Sequence, residues 1–364
     1  MINIARVPVL VGNFRRSSRT YPILTQSWNI TNSLSHNLVR FNHKKPFKRD
    51  EAKRLHFFVV LKYVQYVKNI GRVLEKKFPK ALATYRQFVE GTKEFIKDTK
   101  EYLRVVRYLY NPEKNFNNLL RREIELYYQL PKDMKRIGPI LVLFMLPVVP
   151  YISLPILYLF PRQLLCSHFW SLQQKADFQI LNLRDRLVHN RPVFRHLQTQ
   201  MDFLKPHHLY EPWKSVIANI GSGQHPSVEN IVVCKTLFAQ EPYCLLYLSR
   251  NHVKHLLKMH GMRSGFFFRR RRLAYRAFIL RELDKAIKRE GGVNNLPLDA
   301  LKRACFMRGL NPTNLSNEEM IKWLGDWIKL TDSVDKDSYS LLLHAPILLA
   351  YNAPSNWKLI YKDK

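Results

Sequence analysis

The segment from residue 51 to residue 110 has the apolar periodicity of helices, with a predicted break near Phe78-Pro79. After that break, one apolar stripe advances in alternating steps of three and four residues. Its members are Leu82, Tyr85, Val89, Thr92, Ile96, Thr99, Leu103, Val106 and Tyr110. A second track beside it consists of Phe88, Phe95, Tyr102 and Leu109. So broad a stripe needs another helix to cover it, and we expect one from the same chain, the alternative being a copy in a homo-oligomer.

The 24 residues from Ile137 to Phe160, which we call the apolar segment, contain no charged side chain. At about 1.5 Å per residue, a helix of this length crosses the hydrocarbon layer with some tilt. We therefore predict one transmembrane segment from Ile140 to Phe160. Pro147, Pro150 and Pro155 each remove a backbone donor, so we expect a kinked span that leans on other helices. A buried core helix is the alternative, although the prolines would break it equally.

After Pro161 we predict an all-α fold, because no segment alternates convincingly between apolar and polar residues. The predicted helices are Leu172–Val188, Val228–Ala239, Tyr243–Met259, Ala274–Arg289, Pro297–Met307, Asn317–Leu330 and Ser338–Tyr351. Ser316 and Glu319 have the spacing of a capping box, and Gly309 stands where a helix should end.

The first 49 residues contain no Asp or Glu, although they carry several arginines and the basic cluster from Lys44 to Arg49. This composition predicts a mitochondrial presequence, the alternative being a disordered basic tail. We thus expect four regions: a presequence over 1–45, an amphipathic helical region over 50–136, a transmembrane segment over 137–161 and a helical domain over 171–364.

The chain carries 60 Lys and Arg residues against 28 Asp and Glu residues, a formal net charge of +32. So large an excess indicates an anionic partner, namely nucleic acid, a ribosome or a phospholipid surface. Both sides of the apolar segment are basic, so the positive-inside rule does not orient it.

The sequence offers no catalytic signature, since it has no HExxH, no GxSxG and no phosphate-binding glycine loop. His252, His255 and His260 have a spacing that metals can use, but no cysteine or carboxylate set accompanies them. Asp332, Asp335 and Asp337 lack the glycine and terminal glutamate of a calcium loop. We therefore expect no enzyme activity, no metal, no cofactor and no small-molecule substrate.

The densest basic feature follows Phe266-Phe267-Phe268 and consists of Arg269, Arg270, Arg271 and Arg272. Arginines bind phosphates and flanking aromatic rings stack on bases or anchor at a headgroup layer, so the run is a candidate contact for an anionic partner. Equally, the phenylalanines could pack inward beneath solvated arginines.

Two stretches resemble the mitochondrial LETM family, which is named for leucine-zipper, EF-hand and transmembrane features. The first precedes and includes the apolar segment, and its matching residues are Leu120, Arg121, Arg122, Glu123, Asp133, Arg136 and Pro139. The second comprises Glu290, Gly291, Leu301, Ala304, Cys305, Arg308 and Gly309, and continues through Trp323 and Trp327. The closest likeness is to the short LETM-domain-containing members, because the chain has no room for the EF-hand and long coiled coils of the others.

This resemblance implies a single-pass protein of the mitochondrial inner membrane, with an outer-membrane location less favoured. It also implies an all-helical, 14-3-3-like matrix domain that binds the mitochondrial ribosome and supports respiratory-chain and ion homeostasis. A component of cation/proton exchange is the alternative, in which Asp133 and Arg136 would have to serve because the span itself has no ionisable residue. An organiser of respiratory complexes or membrane shape is a third possibility.

Overall fold

The computed structural model describes residues 79–143, 156–157, 159–265 and 267–361, together with residues 62 and 65. Within these residues all regular structure is helical and no strand occurs, so the predicted all-α class is confirmed. The predicted presequence over 1–45 and the amphipathic segment before Pro79 lie outside this part of the chain, apart from those two isolated residues.

The helices of the described residues are α1 (Pro79–Tyr110), α2 (Arg121–Leu143), α3 (Leu172–Leu187), α4 (Asn190–Thr199), α5 (Tyr210–Gly221), α6 (Val228–Val233), α7 (Arg250–Met259), α8 (Arg269–Arg289), α9 (Leu298–Arg308), α10 (Asn317–Ser333), α11 (Tyr339–Ala350) and α12 (Pro354–Tyr361). A single helical turn, Pro161–Leu164, and several 3-10 turns connect them.

Helices α3, α9, α10 and α11 begin and end within three residues of their predicted bounds. The capping box is confirmed, because the Ser316 hydroxyl accepts from the Glu319 N–H at 3.1 Å and the Glu319 carboxylate accepts from the Ser316 N–H at 2.8 Å. Gly309 ends α9 as predicted, with a φ of +93° that disfavours any residue with a Cβ.

Three predicted helices need correction. The Tyr243–Met259 helix begins only at Arg250, because Ser249 caps it by accepting from the His252 N–H at 3.2 Å. The Val228–Ala239 helix changes to 3-10 geometry at Cys234, and the Ala274–Arg289 helix begins five residues earlier, at Arg269.

Helices α4, α5 and α12 are not among the predicted helices. Each carries a proline in its first turn, namely Pro192 in α4, Pro212 in α5 and Pro354 in α12. A proline in that position costs no helical hydrogen bond, because the first N–H groups of a helix have no intrahelical partner.

The predicted apolar stripe of α1 does not form its buried face. Ile96, Leu103 and Tyr110 are exposed, whereas Phe88 and Phe95 of the neighbouring track are buried. The two buried rings pack on Phe169, with ring centroids at 4.9 and 6.5 Å. Residues of the same chain therefore cover α1, as expected, but they cover the second apolar track and not the predicted stripe.

The main core is formed by buried residues from Val193, in α4, to Ala353, directly before α12. Helix α11 runs through this core, and every one of its residues is buried. The two large side chains Trp213 and Tyr243 meet there. The Trp213 indole donates to the Tyr243 hydroxyl at 2.9 Å, and that hydroxyl donates to the Leu197 carbonyl at 2.8 Å. The polar atoms of both rings are thus satisfied inside the apolar core.

A second, smaller core lies where α2 leads toward the apolar segment. Ile137 of α2 and Leu157, at the far end of that segment, are both buried in this cluster together with Leu165. The described residues include no helix long and apolar enough to cross a bilayer. Because Pro147, Pro150 and Pro155 lie outside the described residues, the predicted span stays a prediction.

Candidate functional site

Residues Ala304–Gly309 of the second LETM-like stretch, which we call the second family motif, include one partner of a buried ion pair. The Arg308 guanidinium of α9 pairs with the Asp284 carboxylate of α8, and both side chains are 1% exposed. The second carboxylate oxygen accepts from the Trp327 indole at 3.0 Å and the Thr331 hydroxyl at 2.9 Å, both from α10. The other buried side chains of the motif are those of Ala304 and Cys305. This motif therefore joins three helices in the core and does not form a surface contact.

Two further arginines converge on the last turn of α9. Arg186 donates to the carbonyls of Phe306 at 2.7 Å and Met307 at 3.1 Å, and Arg276 donates to the latter at 3.0 Å. Burial, and secondarily Arg276, lowers the pKa of Arg186 to about 9. Cations at a helix C-terminus satisfy its unpaired carbonyls and offset its dipole, which accounts for the half-buried Arg186 and the buried Arg276 at this place.

The first LETM-like stretch, from Leu120 to Pro139, is called the first family motif here. It joins the beginning of α2 to the end of α8. The Arg121 backbone N–H donates to the Glu290 carboxylate at 2.5 Å, although 169 residues separate the two. Glu123 accepts from the Leu120 N–H at 3.0 Å and from Arg104 of α1 at 2.7 Å. Arg122, by contrast, is largely exposed. The two motif-bearing stretches thus meet through Arg121 and Glu290.

Asp133 lies buried in α2, near the beginning of the apolar segment. Its carboxylate accepts from the Gln129 amide at 3.2 and 3.3 Å. Burial raises the pKa of Asp133, although His168 and Arg136 oppose the shift. Pro139 lies inside the same helix.

Close to Asp133, three side chains have the composition of a nucleophilic triad. The Cys166 sulfur lies 3.4 Å from Nδ1 of His168, whose Nε2 lies 2.9 Å from the Asp98 carboxylate. However, Cys166 is fully buried, and burial raises the pKa of its thiol to about 12. A nucleophilic cysteine requires a thiolate, so this arrangement favours a structural link between α1 and the 166–168 turn.

The arginine run at the beginning of α8 divides into two parts. Arg269 donates to the Gly265 carbonyl at 2.8 Å, and Arg270 donates to the Leu245 and Leu248 carbonyls at 3.0 and 2.7 Å. Arg271 is exposed and Arg272 is half-buried. Phe267 and Phe268 are exposed rather than packed inward, whereas Phe266 lies outside the described residues. Arg271 and the two rings therefore form the accessible part of this candidate contact.

Two of the three histidines singled out in the sequence, His252 and His255, lie against another histidine. Nε2 of His252 lies 2.9 Å from Nε2 of His344, and Nδ1 of His255 lies 3.3 Å from Nδ1 of His189. His260 is buried against the Leu343 carbonyl at 2.9 Å. Among the described residues, no three His, Cys, Asp or Glu side chains are arranged to hold a metal ion.

The acidic residues around the end of α10 form surface ion pairs. Asp332 lies 2.9 Å from Lys288, and Asp335 lies 2.5 Å from Lys235. Asp284 and Arg186, which make the buried contacts to α9, are not among the residues predicted from the sequence. Asp284 carried a usable signal, because it is an acidic residue on the apolar face of a predicted helix.

Comparisons with known proteins show which family the chain resembles. Residues 119–348 match the family model described as "LETM1-like, RBD". Two similar relatives are both called "LETM1 domain-containing protein 1". The one from Xenopus tropicalis is 30% identical over 281 residues, covering 77% of this chain and 80% of the relative. The one from Homo sapiens is 28% identical over 304 residues, covering 83% of this chain and 84% of the relative.

The all-helical domain, with its two motifs joined through Arg121 and Glu290, is thus a LETM-type domain. The chain belongs to the LETM1-like family, and its likeness is to the short members that carry this domain.

Proposed function

We propose that this protein is attached to the mitochondrial inner membrane and that its helical domain, on the matrix side, binds the mitochondrial ribosome. The observation that carries the proposal is the match of residues 119–348 to the family described as "LETM1-like, RBD", because the resemblance to the LETM family implies a ribosome-binding matrix domain. On this proposal the protein supports respiratory-chain and ion homeostasis through binding and not through catalysis.

The basic face formed by α4 and α7 supports contact with ribosomal RNA. These two helices pack on each other, and neither contains an acidic residue. Their exposed or half-buried cations are Arg191, Arg195, Arg250, Lys254 and Lys258. None of these cations forms an ion pair with a carboxylate of the described residues, so phosphate contacts would not require an internal ion pair to be broken.

The test is sedimentation of the detergent-solubilised full-length protein with purified mitochondrial ribosomes. If about six phosphates are contacted, affinity should fall by roughly a thousandfold between 50 and 200 mM salt. A test variant replaces four cations of the basic face with Gln: Arg191, Arg195, Lys254 and Lys258. A control variant of equal charge replaces four exposed lysines elsewhere: Lys205, Lys214, Lys329 and Lys336. Equal loss in both variants, or no sedimentation at low salt, would contradict ribosome binding through this face.

Membrane attachment through the apolar segment, with both of its flanks at one membrane face, is part of the proposal. A helix crossing from Ile140 to Phe160 would place its ends about 30 Å apart. The support for a one-sided arrangement is that Arg136 donates to the Leu165 carbonyl at 3.4 Å. The single crossing expected from the sequence is the alternative, and it would place the two flanks on opposite sides of the membrane. Resistance of the protein to alkaline carbonate extraction tests the attachment itself.

Cation/proton exchange is the second candidate, because one observation favours it. Asp133 is a buried carboxyl with a raised pKa, in the same helix as Pro139 and next to the apolar segment. Such a group can take up and release a proton. If the reconstituted protein moves cations against a pH gradient and Asp133→Asn abolishes the flux, exchange is the function of this region. Absence of flux in the unmodified protein would exclude it.

A further inference from the structure

Two neighbouring loops expose four large apolar side chains, which we call the apolar tip. Leu246 and Tyr247, between α6 and α7, are 63% and 57% exposed. Phe267 and Phe268, directly before α8, are 81% and 70% exposed. Phe268 has a φ of +53°, a left-handed conformation that bulky residues rarely adopt. Large side chains gathered at one place in this way indicate an interaction surface.

Arg270 holds the two loops of the apolar tip together. Its Nε donates to the Leu245 carbonyl at 3.0 Å and its Nη2 to the Leu248 carbonyl at 2.7 Å. Leu248 is buried in the main core, so the first loop is fixed at its base. The apolar tip is therefore a built feature that is supported from both loops.

The surroundings of the apolar tip carry only positive charge along the chain. Residues 242–281 include ten Lys and Arg residues and no Asp or Glu. Arg271 is exposed beside the tip, in the first turn of α8. Because a helix N-terminus has a positive dipole end, cations there repel it, and a nearby anionic surface would relieve this repulsion. The tip is thus complementary to an anionic partner.

The direction of α8 places the apolar tip at a particular end of the domain. Helices α2 and α8 are antiparallel, because Arg121 meets Glu290 while the rings of Tyr128 and Tyr275 meet at 6.2 Å. Beyond the contact between Tyr128 and Tyr275, α2 continues toward Ile140 and the apolar segment. The N-terminus of α8 lies in the same direction. The apolar tip therefore lies at the end of the domain from which the chain enters the apolar segment.

We infer that the apolar tip docks on an anionic phospholipid bilayer, with its apolar side chains in the interfacial layer and Arg271 among the headgroup phosphates. This inference rests on the proposed membrane attachment. Lipid is favoured over RNA for two reasons. Leu246 has no π face on which a base could stack, whereas hydrocarbon accommodates leucine and phenylalanine alike. In addition, the tip shares its end of the domain with the beginning of the apolar segment.

The experiment uses the full-length protein reconstituted in vesicles of phosphatidylcholine and phosphatidylglycerol whose acyl chains carry bromine. Bromine quenches tryptophan fluorescence only on contact, so Phe268→Trp reports on the tip after subtraction of the unmodified protein. Tyr247→Trp reports independently from the other loop. Phe203→Trp is the matched control, because Phe203 is 73% exposed and stands next to an acidic residue, Asp202.

We expect quenching at positions 268 and 247 and none at 203, in variants that keep the circular dichroism of the unmodified protein. Equal signals at all three positions would overturn the inference, while flotation of the protein with the vesicles would still support attachment. Quenching at the tip of a protein that alkaline carbonate extracts would support the inference and contradict attachment through the apolar segment. Quenching by added ribosomal RNA, without quenching by brominated lipid, would assign the tip to RNA.

The charge complementarity is tested separately with Arg271→Gln. We expect this variant to lose the excess quenching at position 268 that phosphatidylglycerol adds over phosphatidylcholine alone. Lys336→Gln, which removes an exposed cation elsewhere, should retain that excess. The same excess in both variants would show that Arg271 does not contact the headgroups.

Discussion

The Arg136 guanidinium donates a hydrogen bond to the Leu165 carbonyl over 3.4 Å, although 29 residues separate the two in the chain. Most of those residues belong to the apolar segment. The two flanks of that segment are therefore neighbours, and this relationship leads to a prediction about membrane topology.

In mitoplasts, cysteines at positions 135 and 163 should both be protected from a maleimide that does not cross membranes, because the proposal places both on the matrix side. Both should react once detergent permeabilises the membrane. Lys135 and Gln163 are exposed, and they lie on the two flanks. The background would carry Cys244→Ser, because the other three native cysteines are buried. Labelling of one position and protection of the other would establish a single crossing.

Asp284→Asn should destabilise the protein by about 3 to 5 kcal/mol, because it leaves Arg308 as a buried charge without its counterion. The free energy of unfolding by denaturant measures this loss. Asp326→Asn removes the carboxylate of a surface pair at 3.2 Å from Lys329, and should cost less than about 1 kcal/mol. Similar losses in the two variants would mean that the buried pair stabilises the packing of α8, α9 and α10 no more than a surface pair would.

Acid should destabilise the fold through His344. Burial lowers the pKa of His344 to about 4, so the native state favours the neutral ring. Stability from this site is complete above the unfolded pKa of about 6.5 and is lost as the pH falls toward 4, by about 3 kcal/mol. The melting temperature of His344→Phe should therefore depend less on pH in this window. His208→Gln, at an exposed position, should keep the dependence of the unmodified protein.

Gly91→Ala should weaken the contact between α1 and the turn at residues 167–169. An added Cβ would lie 2.6 Å from the His168 carbonyl oxygen and 2.9 Å from the Phe169 ring. We expect a loss of about 1 to 3 kcal/mol in the free energy of unfolding. Gly325 lies inside α10, and a Cβ added there would have no neighbouring atom within 4 Å. Gly325→Ala should therefore raise the free energy of unfolding by about 0.5 to 1 kcal/mol. A neutral Gly91→Ala variant would contradict the close approach.

Replacement of Arg15, Arg16 and Arg19 with Glu should prevent import, because a presequence requires its positive face. Fractionation of cells that produce the variant measures the mitochondrial share. Replacement of Lys205, Lys214 and Lys329 with Glu is the control, since it changes the charge equally within the folded domain. Normal import of the presequence variant would contradict the presequence.

Helix boundaries could be predicted wherever local chemistry sets them. Ser316 and Gly309 carry their own conformational preferences, so α10 and α9 were placed within a few residues. The beginning of α7 was misplaced because Tyr243 and Leu248 are apolar for a tertiary reason, namely burial in the main core. Periodicity alone does not distinguish such buried turns from a helix.

The candidate sites were predictable as lists of residues but not as contacts. Arg308 was identified by the family resemblance, yet its partner Asp284 lies in another helix, 24 residues away. Likewise, the arginine run gave no sign that Arg270 would be used for the loop at residues 245–248 while Arg271 stayed accessible. Pairings of this kind depend on how helices cross, which local sequence does not encode.

Asn356 of α12 donates through its side-chain amide to the carbonyls of Gly309 and Ala350, and its amide oxygen accepts from the Asn311 N–H at 2.8 Å. The junction at the end of α9 is therefore unfinished until residue 356 is in place. A chain that enters an organelle N-terminus first would leave this junction open until residue 356 has passed. Chaperones that hold incomplete chains would have to act until α12 arrives, and the order of translocation would thereby set the moment at which the domain can close.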